Sequence, residues 1–142
     1  MAIEPFLYTP DDSECEKASN SYLMSMMAMA VGMTLPIVNL IATLIFYMGN
    51  RKGTYFVRWH CTQALVSQLS VFPINSAAVW WSVSIAITSR EITNAYIAYL
   101  FTALLFNAFE LTMTVRSAIQ TRKGHHVYWR LFGPLTDLIV RP

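Results

Sequence analysis

Two long stretches of the chain contain no charged residue at all: Tyr22 to Met48, and Cys61 to Ser89. Both are mainly apolar, and about 20 such residues suffice to cross ~30 Å of hydrocarbon. A third apolar stretch begins near Ile92 and continues as a helix to about Gln120. It is broken by Asn107 and Glu110 and closed by Arg116, Arg122 and Lys123. The pattern predicts an all-α integral membrane protein with three transmembrane helices, over residues 22–48, 56–88 and 92–120. They form a single domain, 22–142, preceded by a tail, 1–21.

Each span carries a feature of its own. Pro36 removes a backbone donor inside the first, where a kink is expected and Asn39 or a neighbouring helix would take the freed carbonyl. Met24, Met26, Met27, Met29 and Met33 read as adaptable packing surface, and Ala28 with Gly32 forms a small-xxx-small pair that permits close helix approach. The second span is too long for one straight crossing. Pro73 divides it, either as a bend in one tilted helix, which is the economical reading, or as the start of a re-entrant portion near Pro73-Ile74-Asn75. Between the spans lie two turns, Gly49-Asn50-Arg51-Lys52-Gly53 and Thr88-Ser89-Arg90-Glu91.

Beyond Gly124, residues 125–140 alternate Trp129, Leu131, Phe132, Leu135, Leu138 and Ile139 with Arg130, Thr136 and Asp137. That run is too short and too polar to cross, and it reads as an interfacial amphipathic segment. At the other end, Glu4, Asp11, Asp12, Glu14 and Glu16 against one Lys17, with Pro5 and Pro10, read as a solvated acidic leader or a docking tail. With three spans, Arg51, Lys52, Arg58, Arg116, Arg122, Lys123, Arg130 and Arg141 share one side, against Lys17 and Arg90 on the other. The positive-inside rule then places the C-terminus in the cytoplasm and the N-terminus outside.

Composition agrees with the pattern. Apolar residues make up 55% and charged residues 13%, about half the ~25% charged share of soluble domains. The net charge of +2 is too small to indicate a nucleic-acid binder. Cys15 and Cys61 fall on opposite sides of the membrane in this topology and have no metal-ligand spacing, so neither a disulfide nor a metal is expected. Without a basic n-region or cleavage site, the N-terminus favours a bacterial plasma-membrane protein inserted by its own first helix.

Candidate chemistry is sparse. Glu110 lies six residues inside Arg116, about 9 Å into the bilayer, where an ionisable group faces protein or water. Asn107 and Thr114 share its helical face. On the second span His60, Gln63, Ser67 and Ser70 define another face, with Gln63 near the depth of Glu110. A polar seam follows, with Glu110 bonded to Gln63 or paired with His60 or Arg58. It is either a buried cluster locking two helices or a hydrophilic path for a polypeptide or ion. A haem-anchoring subunit would need two facing imidazoles within the membrane, and only His60 is near the hydrocarbon. No Ser/His/Asp set, phosphate loop or HExxH points to an enzyme.

The stretch YFVRWHCTQAL resembles the F-V-R-[FWY]-H-x-x-Q-[AS] motif of small bacterial membrane proteins in the Tic-twenty-like group, related to a chloroplast inner-envelope import component. Tyr128-Trp129-Arg130-Leu131-Phe132-Gly133-Pro134 is similar to that group's tail, and the likeness spans roughly residues 22–140. The resemblance implies a non-enzymatic subunit of a larger membrane complex linked to protein translocation, with lipid and other membrane subunits as partners and no cofactor. A stand-alone small channel or transporter is the alternative. In this reading Phe56, Arg58, Trp59, His60 and Gln63 shape the start of the second helix. Arg58 holds a lipid phosphate or partner carboxylate, and Trp59 sits in the headgroup belt.

Overall fold

The computed structural model describes residues 1–32, 36–89 and 91–141, and side chains outside 27–36. In chain order the elements are β1 (Ala2–Glu4), α1 (Asp12–Gly32), α2 (Pro36–Asn50), α3 (Tyr55–Thr88), α4 (Asn94–Arg122), β2 (His126–Tyr128) and α5 (Gly133–Ile139). The Ala28/Gly32 pair, the Pro36 kink and the methionines at 27, 29 and 33 lie outside the described side chains.

α1 starts ten residues earlier than the first apolar stretch because Asp11 and Glu14 cap it reciprocally. Asp11 Oδ1 accepts from the Glu14 amide at 2.7 Å, and Glu14 Oε2 accepts from the Asp11 amide at 2.9 Å. This capping box satisfies two of the helix's orphan donors. The acidic leader is therefore half helix, burying Cys15, Ala18, Ser19 and Ser21.

The expected single span over 22–48 is two helices, and both pack on α3. Cys15 clusters with Phe56, Tyr22 bonds His60 and Ser25 bonds Gln68, so α1 runs parallel to α3. Asn39 also bonds Gln68, while Asn50 leads through Gly53 into α3, so α2 runs back. α1 and α2 thus form an antiparallel hairpin beside the first half of α3.

α3 passes Pro73 as one continuous helix, and α4 returns against it. Asn75 and Asn107 exchange amide hydrogen bonds of 3.0 and 2.7 Å, Ser82 meets Tyr96 at 2.8 Å, and Tyr99 donates to the Ile74 carbonyl at 2.9 Å. Ser89, with φ of 49°, ends α3 in the left-handed conformation common at helix C-termini.

These two helices are long and apolar enough to cross a membrane. Their outward side chains are apolar, with Trp80 77% and Ile87 79% exposed. Contiguous greasy surface of this kind on both helices calls for lipid as the solvent.

β1 and β2 pair antiparallel, Ala2 with Tyr128, Ile3 with Val127 and Glu4 with His126. The two ends of the chain therefore lie together. The expected topology set these ends on opposite sides of a membrane, whereas the ladder places them side by side. Cys15 packs on Phe56 at the start of α3, so the two cysteines lie toward the same end of the bundle, and both are free and buried.

Candidate functional site

The motif residues of α3 form the floor of a clasp made by β1, β2 and α5. Phe56 is fully buried, with its ring 5.0 Å from Phe6 and 4.5 Å from His60. Trp59 is equally buried, not in a headgroup belt as expected. Its ring lies 4.3 Å from that of His126, and its Nε1 donates to Asp137 Oδ1 at 2.7 Å. The Tyr128 hydroxyl donates to Asp137 Oδ2 at 3.0 Å, so one carboxylate ties α3 and β2 to α5. Arg58 Nη2 donates to the Arg141 carbonyl at 3.2 Å.

Gln63 orders the interior of the clasp. Its Oε1 accepts from the Trp129 amide at 3.1 Å, which fixes the orientation of the side-chain amide, since a backbone N–H can only donate. Its Nε2 then donates to the Val127 carbonyl at 3.0 Å and to the Tyr22 hydroxyl at 2.8 Å. With that oxygen accepting, the Tyr22 proton goes to His60 Nδ1, 2.9 Å away. His60 consequently carries its own proton on Nε2 and donates to His126 Nδ1 at 3.3 Å. The hydrogen-bond pattern assigns both tautomers, and one polar chain, Gln63–Tyr22–His60–His126, joins α1, α3 and β2.

His126, in β2, has its pKa lowered to about 4 because burial disfavours the imidazolium, an effect that the Asp137 carboxylate partly opposes. Because the two imidazoles bond each other directly, no haem plane fits between them. Among the described residues, no set of three His, Cys, Asp or Glu side chains could hold a metal ion.

A second polar cluster lies one to two turns deeper, centred on Gln68. Its Nε2 donates to Glu110 Oε1 at 2.7 Å and to Ser25 Oγ at 3.2 Å, and its Oε1 accepts from Asn39 Nδ2. Ser67, at 3.3 Å, and Thr114, at 3.0 Å, also donate to Glu110 Oε1. One buried amide therefore connects all four long helices. Glu110 Oε2 and Asn39 Oδ1 are buried without a hydrogen-bond partner among the described residues.

The residues of the expected seam are divided between these contacts and others. Ser67, Thr114 and Glu110 meet, and Asn107 lies on the same interface but bonds Asn75. Glu110, however, does not reach Gln63, His60 or Arg58, because Gln63 and His60 turn toward α1 and β2. Ser70 stays out of the cluster, donating to the Val66 carbonyl of its own helix at 3.1 Å. Gln68 and Ser25 carry much of the network without any sequence signal pointing to them, and Asn39 and Asn75, expected only beside Pro36 and Pro73, join it through their side-chain amides.

No curated protein and no solved structure is significantly similar to the chain. A family model matches residues 18–136, from α1 through most of α5, and so takes in both clusters. The family is not the Tic-twenty-like group that the FVRWHCTQA stretch resembles, and the protein-translocation role implied by that resemblance falls with it. On this match the chain belongs to MamF/MmsF, the magnetosome magnetite crystal formation protein family.

Proposed function

We propose that this chain is a bilayer-embedded, non-enzymatic structural component of magnetite crystal formation, placed in the magnetosome membrane with both termini in the cytoplasm. Family membership supplies the process, and the apolar outer surface of α3 and α4 supplies the membrane. The observation that carries the mode of action is the Gln68 cluster. Most of the polar side-chain atoms between the helices are spent on one another, which favours a locked bundle over an open path.

Depth supports a two-crossing arrangement. Gln68, Ser25 and Asn39 share one level. From there α3 runs 20 residues to Thr88, about 30 Å, whereas α1 ends seven residues beyond Ser25, about 10 Å. α3 and α4 cross; α1 and α2 enter from the cytoplasmic side to half depth and return. Nine of the ten Lys and Arg residues then fall at the clasp end, which is the cytoplasmic signature. α5, with Leu135, Leu138 and Ile139 outward, lies along that leaflet's interface.

Genetic complementation tests this reading. In a magnetite-forming host lacking its own copy, the wild-type chain restores crystal size distribution, as measured by electron microscopy. Gln68→Leu, which unlocks the bundle, fails to restore it while still reaching the membrane. Full restoration by Gln68→Leu at wild-type protein level would contradict the proposed role of the locked interior.

A further inference from the structure

An apolar groove of about 250 Å³ opens beside the clasp, between α4 and the turn that follows β2. Phe106, Phe109 and Met113 form its α4 wall, Leu131 and Phe132 the other, with the buried Glu110 carboxyl behind. Arg130 stands at its edge with an exposed side chain. Arg116, three residues past Met113 and so on the same helical face, is exposed one turn nearer the cytoplasmic end.

We propose that this groove holds one acyl chain of an anionic phospholipid of the cytoplasmic leaflet, with Arg130 and Arg116 on its phosphate. Charge complementarity selects this occupant. The apolar wall from Phe106 to Met113 runs about 10 Å along the helix; Arg116 follows one turn beyond Met113, and Arg130 lines the same groove, so positive charge adjoins the wall as a lipid's charge adjoins its chain. Guanidinium is the group best shaped to grip a phosphate through paired N–H donors. A soluble phosphate would leave the apolar wall uncovered. An uncharged lipid would leave the arginines without a partner. A seated chain also keeps lipid, not water, against the wall in front of Glu110.

The inference rests on the cytoplasmic placement of the clasp, but its test reads lipid selectivity and is independent of the side on which the termini lie. Purified protein in mild detergent is titrated with phosphatidylglycerol or phosphatidylcholine, and retained lipid is counted by native mass spectrometry. One phosphatidylglycerol is expected to be held at least fivefold more strongly than phosphatidylcholine. The Arg116→Gln, Arg130→Gln double variant, altered only at exposed positions, should abolish that preference. Met113→Trp, which fills the groove, should reduce retention of both lipids. Glycerol phosphate in excess should displace neither. Equal retention of the two lipids by the wild type, an unchanged preference in the double arginine variant, or displacement by glycerol phosphate would overturn the proposal.

Discussion

His60 Nε2 lies 3.3 Å from His126 Nδ1, across 66 residues of sequence, and this contact joins the start of α3 to the strand that pairs with the N-terminal one. It is the last link of a chain that begins at Gln63, so variants along that chain should fail in a graded order. Tyr22→Phe strands His60 Nδ1 and one Gln63 N–H, at a cost of about 1–3 kcal/mol for unpaired buried polar groups. Gln63→Leu strands the Val127 carbonyl and the Trp129 amide and takes one of its two bonds from the Tyr22 hydroxyl, and should cost more. Unfolding midpoints in mild detergent, followed by tryptophan fluorescence, should rank wild type above Tyr22→Phe, and Tyr22→Phe above Gln63→Leu.

Acid should loosen the clasp. The folded imidazole of His126 takes up its proton only near pH 4, whereas a freed one does so near its ordinary value of 6.5. Between those limits the open form binds more protons, so stability falls as pH falls through that window. From pH 7 to pH 5 the loss is at most about 2 kcal/mol, and less as far as solvent screens the imidazolium. Protease cleavage in the segment around Phe6 should accelerate over that interval, and His126→Phe should flatten the dependence.

Gly133 leaves no space for a side chain. A Cβ there would sit 2.5 Å from the Tyr128 ring. Gly133→Ala should push that ring off Asp137 and weaken the clasp, and Tyr128→Phe should reproduce most of the loss by removing the same hydrogen bond, roughly 1–2 kcal/mol for a bond to a charged acceptor. Combining the two should cost clearly less than the sum of the singles, a double-mutant cycle that unfolding midpoints can resolve.

In the deeper cluster, Glu110→Gln keeps an oxygen where Gln68, Ser67 and Thr114 donate and should be tolerated to within about 1 kcal/mol. Gln68→Leu removes the hub, leaving the Asn39 amide and part of the Glu110 carboxylate unpaired. It should cost about 2–4 kcal/mol. A Glu110→Gln variant less stable than Gln68→Leu would mean that the carboxylate's charge, not its acceptor geometry, holds the helices.

The parts of this architecture that were legible in the sequence are those set by solvent. The charge-free run after Cys61 and the stretch from Ile92 announce α3 and α4, and lipid requires that length. The α1–α2 hairpin was hidden because no charged residue interrupts the sequence between Tyr22 and Met48 to mark where one helix gives way to the next. The β1–β2 ladder was hidden for the opposite reason: three-residue strands carry no period, and their pairing joins positions more than a hundred residues apart. Gln68 escaped because the face drawn through His60, Gln63 and Ser67 extends on one side to Ser70. At 100° per residue, Gln68 lies on the other side of that face, toward α1 and α2. His126 read as interfacial because nothing local signals that Phe6 and Trp59 cover it.

The account depends most on both ends of the chain sharing one side of the membrane. Single cysteines at Ala2, Ile92 and Arg141, in a background with Cys15 and Cys61 replaced, can be probed in sealed vesicles with an impermeant maleimide. Positions 2 and 141 should label from the same side, the cytoplasmic one, and position 92 from the other. Labelling of positions 2 and 141 from opposite sides would contradict the structure's ladder and the two-crossing arrangement together.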